Sequence, residues 1–332
     1  MKPIITGLGL VTPFGSSTLS FWEGLQDKQK AQYKREKILT PQGEKELGVF
    51  SARIEGIDEY LTARARRRME SFTQMGVLAC KLALKDAGID IRADKITGMV
   101  FGSAYGCMNA SFSFQDSMIE YGDFCPSPTH FVNSVHNTPA SQISITLNLQ
   151  GPCATVSCFE MTTALVMQTA WDFLAMDMAD VVVAAIGEEN GEIRQYATAS
   201  FSKDKSDDPI ELSEAFVCFI LEKDQQKSHY GSICDIVFSN DQQKDRGVMK
   251  ALSAVITSDK SVKTNKETQP PVFNYASKYG CMPSGDALLL ATAALSLREG
   301  TLPCGSLSLA QDAILGCTNR IGPFSNLITI EK

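Results

Sequence analysis

The segment at residues 163–185, TALVMQTAWDFLAMDMADVVVAA, decides the fold class. Its first part, 163–176, is apolar on nearly all sides, which is typical of a buried helix. Its last part, 179–185, is a continuous apolar run of strand length, which predicts a strand buried on both faces. Similar runs occur at 96–102 and 215–221. Helices that alternate with such strands predict an α/β fold whose parallel or mixed sheet is covered on both faces.

The rest of the chain divides at about residue 230. Before this point the pattern predicts a strand and a glycine and proline turn at 3–15. It also predicts two helices, at 17–25 and 69–88. After Glu222 the chain becomes polar. The elements predicted beyond the polar stretch are a strand near 233–238, a helix near 247–256, a helix at 285–298 and a strand at 326–330. We therefore predict two parts, 1–230 and 231–332.

Composition bounds the class of protein. The chain has 332 residues, of which 44% are hydrophobic and 8% aromatic, so it can bury a large core. Its 31 Lys and Arg residues against 38 Asp and Glu residues give a formal charge of −7. This acidic balance argues against nucleic acid or an anionic membrane surface as the main partner.

The ten cysteines are spaced singly and include no CxxC pair, so neither a disulfide framework nor a metal site is predicted. No basic and apolar leader precedes Ile4, and no apolar run is long enough to span a bilayer. These features predict a reduced, cytoplasmic protein. Gly7 and Gly9 do not complete a dinucleotide-binding loop, because Thr12 stands at the place of the third glycine, and no cofactor is predicted.

Several short motifs follow one another in a fixed order. They are 5–15 (ITGLGLVTPFG), 21–25 (FWEGL), 102–106 (GSAYG), 131–145 (FVNSVHNTPASQISI), Gly151-Pro152, 179–183 (ADVVV) with Gly187 and Glu189, and 212–215 (LSEA). In this order they resemble the β-ketoacyl-acyl-carrier-protein synthases of the elongating type, which belong to the thiolase superfamily. The resemblance covers nearly all of residues 1–225 and, more weakly, 275–302.

This resemblance implies a thiolase-like, five-layer αβαβα fold with two similar halves, the second shortened here. It also implies a dimer formed through the first half. The segments 127–131 and 134–137 further resemble the divergent ketosynthase-like proteins of aryl-polyene and related bacterial polyketide pathways.

Decarboxylative condensation needs a thiolate that carries the acyl chain and, usually, two histidines. The resemblance places the nucleophile a fixed step after Gly151-Pro152, and here that step ends on Glu160. It places one histidine where Cys281 stands, and the segment that carries the other has no counterpart at 253–273. No histidine follows His229. The resemblance therefore implies that the chain has no catalytic residues of this kind.

Each replaced position leaves two interpretations open. Glu160 either mimics an acidic group or acts in decarboxylation, or it is a buried acid at a helix start that the helix dipole stabilises. Cys158 is either a displaced nucleophile or an inert buried thiol. Cys281 either pairs with Glu160 in a new site or is a small buried residue that fills the space of the histidine.

The candidate pocket also includes His136 and Phe324. The resemblance places His136 beside the dimer interface and the pocket, where it is either a structural hydrogen-bonding residue or a group that acts on acyl chains. His130 lies in the same segment. Phe324, within 320–326, stands in what remains of the gate loop of the family.

A run of arginines precedes the helix predicted at 69–88: Arg64, Arg66, Arg67 and Arg68. On an acidic protein, this run is either a docking site for an acidic acyl carrier protein or a solvated group of charges.

The resulting functional prediction is a non-catalytic, chain-length-factor-like subunit that pairs with an active ketosynthase in polyketide or specialised fatty-acid synthesis. No activity is expected of the chain alone. Two alternatives stay open. One is an acyl-transferring or decarboxylating enzyme that uses Glu160, His136 or Cys158, and the other is a homodimeric scaffold that binds carrier proteins.

Overall fold

A computed structural model describes residues 1–91, 95–122, 124–201, 210–223, 230–240, 252–257, 270–321 and 324–332. Strands β1 to β13 are, in order, Ile4–Val11, Tyr33–Thr40, Gly43–Phe50, Thr97–Gly102, Cys153–Val156, Val181–Glu188, Ile210–Ser213, Ala215–Glu222, Ser232–Ser239, Ala254–Thr257, Val272–Phe273, Ile314–Ile321 and Phe324–Glu331. Helices α1 to α10 are Thr18–Leu25, Ala63–Arg66, Ser71–Ala87, Met108–Tyr121, Pro128–Ser134, Thr138–Leu147, Thr162–Ala175, Glu192–Phe201, Ala276–Tyr279 and Asp286–Glu299.

Ten strands form one mixed sheet in the order β11-β10-β12-β13-β9-β1-β8-β6-β4-β5. The sheet consists of two sets of five strands, which meet at the pair Ile4↔Ser232 between β1 and β9. From the outer edge inward, each set has two parallel pairings followed by two antiparallel ones. The predicted α/β fold with a mixed sheet is therefore confirmed, and the two sets repeat one pairing pattern.

Strand β6 shows why the central strands are apolar throughout. Val182 and Ile186 lie in a core shared with helices α7 and α10 and with strands of both sets. Val181 and Val183 lie in a second core, on the opposite face, with helices α3 and α6. Both faces are thus covered, and each fully buried valine contributes about 1.5–3 kcal/mol.

Helix α3 packs unusually close to β1, and two glycines allow it. A Cβ atom at Gly9 would lie 1.9 Å from the carbonyl oxygen of Ala79, and one at Gly7 would lie 2.4 Å from that of Ala83. The glycine pair therefore serves helix packing. The helix ends at Gly88, whose φ of 66° is left-handed, as is common at helix C-termini.

The sequence patterns missed some elements. Strands β2, β3 and β7 form a separate sheet whose first strand is largely exposed. Cross-strand ion pairs join Arg35 to Glu46 at 3.0 Å and Lys37 to Glu44 at 2.8 Å. Such a charged strand has no apolar pattern to reveal it. The helix predicted near 247–256 is wrong at its end, since β10 begins at Ala254, and its first part lies outside the described residues.

In the described ranges, none of the helices combines the length and the hydropathy that crossing a bilayer requires.

Candidate active site

The candidate site lies where β5 ends and helix α7 begins. A single 3-10 turn, Phe159–Met161, connects the two. Its backbone is fixed from inside, because the amide of Met161 donates to the carbonyl of Cys158 at 3.0 Å. The amide of Cys158 donates to Thr162 Oγ1 at 3.0 Å. The turn is also held from the second strand set by Asn326, whose Nδ2 donates to the carbonyl oxygen of Glu160 at 3.2 Å.

Glu160 is half-buried within this turn. Its Oε2 atom is buried and has no hydrogen-bond partner within the part of the chain that the structure describes. Burial raises the pKa of the Glu160 carboxyl above its ordinary value, and a backbone hydrogen bond lowers it by less. Desolvation therefore dominates at the start of α7, which weakens the interpretation of Glu160 as a dipole-stabilised anion.

A cavity of about 500 Å³ opens beside the turn. Its lining comes from the turn and from the ends of β9 and β13: Cys158, Phe159, Met161, Phe238, Ser239, Asn240, Phe324 and Ser325. Two of the residues predicted for the pocket, Cys158 and Phe324, thus lie at one cavity, and Glu160 lies between two of its lining residues.

Cys158 is exposed, so the description of it as a buried thiol is wrong. Cys158 precedes the 3-10 turn and lines the cavity. The interpretation of Cys158 as an inert thiol depended on its burial. Cys281 is also exposed and does not fill a buried space. It lies against β7, where its amide donates to the carbonyl of Glu211 at 2.8 Å and its own carbonyl accepts from the amide of Ser213 at 3.0 Å.

A second cavity, of about 350 Å³, lies beyond Tyr105. It is lined by Tyr105, Met108, Arg194, Ala197, Thr198, Phe201 and Ile210. The rings of Tyr105 and Phe159 meet edge to face, with centroids 5.8 Å apart. Phe159 lines the first cavity and Tyr105 lines the second, so one ring of this pair belongs to each cavity.

A buried carboxylate, Glu188, and a buried guanidinium, Arg194, lie behind Tyr105. Glu188, at the end of β6, is 1% exposed and accepts hydrogen bonds from Ser103 Oγ at 3.2 Å and from the amide of Ala104. Burial raises the pKa of Glu188, and the charge of the neighbouring Arg194 opposes the rise. Charged groups buried in this way persist only when their polar atoms are hydrogen-bonded.

Arg194 connects three segments around the site. Its Nη1 atom donates to the carbonyl oxygens of Glu189 at 2.9 Å and Ser213 at 3.0 Å. Its Nη2 atom donates to the carbonyl oxygen of Cys281 at 3.3 Å. Sequence reasoning missed this residue. The available signal was the acidic pair directly after an apolar strand, since a buried carboxylate requires a nearby cation.

Glu189 belongs to the same region. Its carboxylate accepts from the amide of Asn109 and from Asn109 Nδ2, each at 2.8 Å. Burial raises the pKa of Glu189 to about 7 despite these bonds. Its charge therefore changes near neutral pH.

The remaining predicted residues lie away from the Cys158 cavity. His136 is exposed, and its ring lies directly against Gly106, where an added Cβ would be 2.5 Å from its Cδ2 atom. His130 Nδ1 is 3.9 Å from Glu70 Oε1. Neither histidine lines the cavity.

The arginine run lies around helix α2. Arg64, Arg67 and Arg68 are exposed, whereas Arg66 forms an ion pair with Asp58 at 2.8 Å. Three of the four charges thus face solvent.

Strand β5 forms one edge of the ten-stranded sheet. Its first residue, Cys153, is exposed in the single chain. Several large apolar side chains in or next to helices α5 and α6 are also exposed: Phe131, Val132, Val135 and Ile145. Among the described residues, no group of three or more His, Cys, Asp or Glu side chains is arranged to hold a metal ion.

Comparison with known proteins decides the family. Residues 2–225 match the family model described as "Beta-ketoacyl synthase, N-terminal domain". The chain belongs to the β-ketoacyl synthase family. The resemblance stated from the motifs is thereby confirmed at this level.

Curated relatives in this family include 3-oxoacyl-[acyl-carrier-protein] synthase 2 of Vibrio cholerae, which is 25% identical over 223 residues. This alignment covers 64% of the present chain and 52% of the relative. The enzyme of the same name from Staphylococcus aureus strain MRSA252 is 26% identical over 216 residues, or 62% of the chain and 50% of the relative. The chain thus aligns with about half the length of the curated relatives it matches.

Solved ketosynthase-family structures match over almost the whole chain. AntDE:AntF, described as a type II PKS acyl-carrier protein in complex with its ketosynthase bound to the hexaketide, superposes with a TM-score of 0.77 at 14% identity, covering 99% of both chains. The ishigamide ketosynthase/chain length factor gives 0.71 at 17% identity, also covering 99% of both. A β-ketoacyl synthase from Burkholderia phymatum gives 0.76 at 16% identity, covering 100% of this chain and 99% of the other. At these identities the likeness shows the thiolase-like ketosynthase fold.

Proposed function

We propose that this chain is a non-catalytic, chain-length-factor-like subunit that pairs with an active ketosynthase in polyketide or specialised fatty-acid synthesis. The observation that carries the proposal is Glu160, which occupies the turn at the start of α7 where the family resemblance places the nucleophile. Acyl transfer by this family uses a thiolate that holds the acyl chain as a thioester. A carboxylate cannot form that thioester.

The surroundings of Glu160 support the same conclusion. A condensing site also needs groups that stabilise the developing enolate, and histidines usually provide them. His130 and His136 lie on or after helix α5 and do not line the Cys158 cavity. The third histidine, His229, lies outside the described residues.

The proposed interface with the ketosynthase is the edge strand β5 together with exposed apolar residues of helices α5 and α6. An unpaired edge strand offers a row of hydrogen-bonding groups to another chain. Phe131, Val132 and Ile145 are 55%, 59% and 80% exposed, and exposed apolar surface of this kind is typical of a region that a partner covers. One structural neighbour is itself described as a ketosynthase/chain length factor.

The proposed carrier-protein site is the exposed arginine group Arg64, Arg67 and Arg68. On a chain with a net charge of −7, this local positive surface would attract an acidic carrier protein at the docking step. AntDE:AntF, one of the solved structures that superpose on this chain, is described as containing an acyl-carrier protein.

Finer features of the fold belong to the same proposal. The repeated pairing pattern of the two strand sets supports two similar halves, which we place at 1–230 and 231–332 with the second half shortened. The proposed five-layer architecture is supported by the two cores, one of which lies between a strand set and helices α3 and α6, and the other of which joins helices α7 and α10 to strands of both sets. We propose a cytoplasmic location, in keeping with ten cysteines that are spaced singly along the sequence and include no CxxC pair.

One observation favours a second candidate, an enzyme with altered chemistry. Cys158 is exposed at the cavity, one residue before the turn that leads into α7. A thiol near a helix N-terminus is the setting in which cysteine becomes nucleophilic. If Cys158 accepts an acyl group, the proposal of a non-catalytic subunit is wrong and this second candidate takes its place.

Co-expression tests the pairing. The chain is produced alone and together with a ketosynthase that retains its cysteine and both histidines, and each product is weighed by native mass spectrometry. The proposal predicts a one-to-one heterodimer. A substitution in the edge strand, Thr155→Pro, removes a backbone donor and should prevent pairing, while Leu39→Asp on the exposed β2 strand serves as the control. If the co-expressed chain forms a stable homodimer and no heterodimer with the ketosynthase, the result would support the scaffold alternative and refute the proposal.

A further inference from the structure

The N-terminus of helix α4 is capped by a side chain from another part of the chain. Cys107, at the N-cap position, forms no side-chain cap hydrogen bond with any of the described residues. Glu189, which follows strand β6, supplies the cap instead. One of its carboxylate oxygens accepts from the backbone amide of Asn109 and the other from Asn109 Nδ2, each at 2.8 Å. Glu189 therefore fastens the start of α4 to the segment that leads into helix α8.

The carboxyl group of Glu189 is 9% exposed and lies among like charges. Burial raises the pKa of Glu189 to about 7 against the hydrogen bonds from Asn109, and the negative charges of Glu214 and Glu70 add to the rise. Glu214 lies between strands β7 and β8, and Glu70 precedes helix α3. Three further ionisable groups pack around this segment: the preceding Glu188, Arg194 on α8, which donates to the Glu189 carbonyl oxygen, and Cys107.

Asn109 can bond to Glu189 in either charge state. Its Nδ2 atom donates to the ionised carboxylate, and its Oδ1 atom can accept from the protonated acid once the amide turns over. Gly191 leaves room for this amide, since a Cβ atom there would lie 1.7 Å from Asn109 Oδ1. The protonated pair avoids both the cost of burying a charge and the repulsion from neighbouring carboxylates, so the contact is stronger in the protonated state.

Helix α4 in turn positions helix α5. Ser111 Oγ donates to the carbonyl oxygen of Ser134 at 3.1 Å. The ring centroids of Phe114 and Phe131 are 5.3 Å apart. Loosening the start of α4 would therefore reach Phe131, which belongs to the interface proposed above.

We propose that Glu189 is a proton-controlled latch, which holds the start of α4 against residues 189–191 when it is protonated and weakens when it is ionised. The latch is a property of the chain alone, and only its consequence for Phe131 rests on the proposed function. A carboxyl group whose pKa is higher in the closed state than in the open state favours closure at low pH. This advantage is lost as pH rises from about 4.5 to about 7.

Hydrogen exchange of the isolated chain between pH 5 and pH 8 tests the latch without any partner. Exchange rates of the amides in the first turn of α4 are divided by the intrinsic rate at each pH, which gives an opening constant. In the natural protein this constant should increase roughly 70-fold from pH 5 to pH 8, as expected for a pKa of about 7 when closed and 4.5 when open. Glu189→Gln stays neutral and keeps an acceptor for the Asn109 amide, so its opening constant should be low and independent of pH.

Alkylation of Cys107, which is 4% exposed, provides a second readout. The ratio of its rate in the natural chain to its rate in Glu189→Gln cancels the pH dependence of the thiol itself, and should be much larger at pH 8 than at pH 5. His130→Gln removes the histidine that lies 3.9 Å from Glu70 and should leave both responses in place. An opening constant that does not change with pH in the natural chain, or that changes equally in Glu189→Gln, would overturn the inference. So would loss of the change in His130→Gln, because His130 would then be the group that titrates.

Discussion

Arg194→Met should destabilise the protein more than most single substitutions. The guanidinium is 4% exposed and donates to the carbonyl oxygens of Glu189, Ser213 and Cys281. Methionine keeps the apolar volume but leaves these acceptors without their donor and the Glu188 carboxylate without its nearby cation. Each buried polar group left without its hydrogen-bond partner costs about 1–3 kcal/mol, and a buried charge costs more. We expect a loss of about 4 kcal/mol, or a fall in Tm of roughly 6 °C in a chain of this size.

Thermal unfolding followed by circular dichroism at several pH values provides the assay. The folded pKa of Glu188 is already raised by burial, and loss of the Arg194 charge should raise it further. A raised carboxyl pKa favours the folded state at low pH and disfavours it as pH increases, so the deficit should be smaller near pH 5 than near pH 8. The double variant with Glu188→Gln should recover about 2 kcal/mol. A deficit that does not depend on pH, or one below about 1 kcal/mol, would refute the role proposed for Arg194.

Three further predictions concern packing, titration and thiol exposure. In a denaturant titration, Gly9→Ala should lower the free energy of unfolding by about 3 kcal/mol or abolish the folded state, because its Cβ would overlap the α3 backbone. Gly88→Ala serves as the control and should cost only about 1–2 kcal/mol, because φ at this position is left-handed. Because the pKa of the Glu160 carboxyl is raised in the folded state, the natural protein should lose stability as pH rises above about 4.5. Glu160→Gln should remove this loss, which is measured by the pH dependence of Tm. Iodoacetamide should label Cys158 in the native chain before Cys80, which is fully buried; equal rates by peptide mapping would contradict the described exposure.

The fold could be predicted from the sequence where a helix or strand is buried on both faces. Strand β6 and helix α7 have continuous apolar sequence because both their faces are covered, and their predicted ranges agree with the structure within a few residues. Strand β2, with the sequence YKREKILT, is stabilised by pairing and surface ions that leave no apolar period. The helix predicted near 247–256 failed at its end because the apolar run from Ala254 is too short to distinguish helix from strand.

The candidate site was predictable in its position and less so in its surroundings. The motif spacing located Glu160, Cys158 and Phe324, which the structure places around or beside one cavity. Exposure of Cys158 could not be inferred, since an apolar neighbourhood in sequence does not show which side faces a cavity. Arg194 was missed because the carbonyls of Ser213 and Cys281 reach it from distant segments. The acidic pair at the end of β6 indicated that a cation lies nearby but did not show which residue supplies it.

The most direct test of the central claim is the intact mass of the chain after incubation with acyl- and malonyl-carrier protein, compared with Cys158→Ala and Cys281→Ala. The proposed absence of chemistry predicts an unchanged mass in all three samples and no decarboxylation of the malonyl group. An acyl adduct on the natural chain that disappears in one variant would contradict the claim and identify the nucleophile.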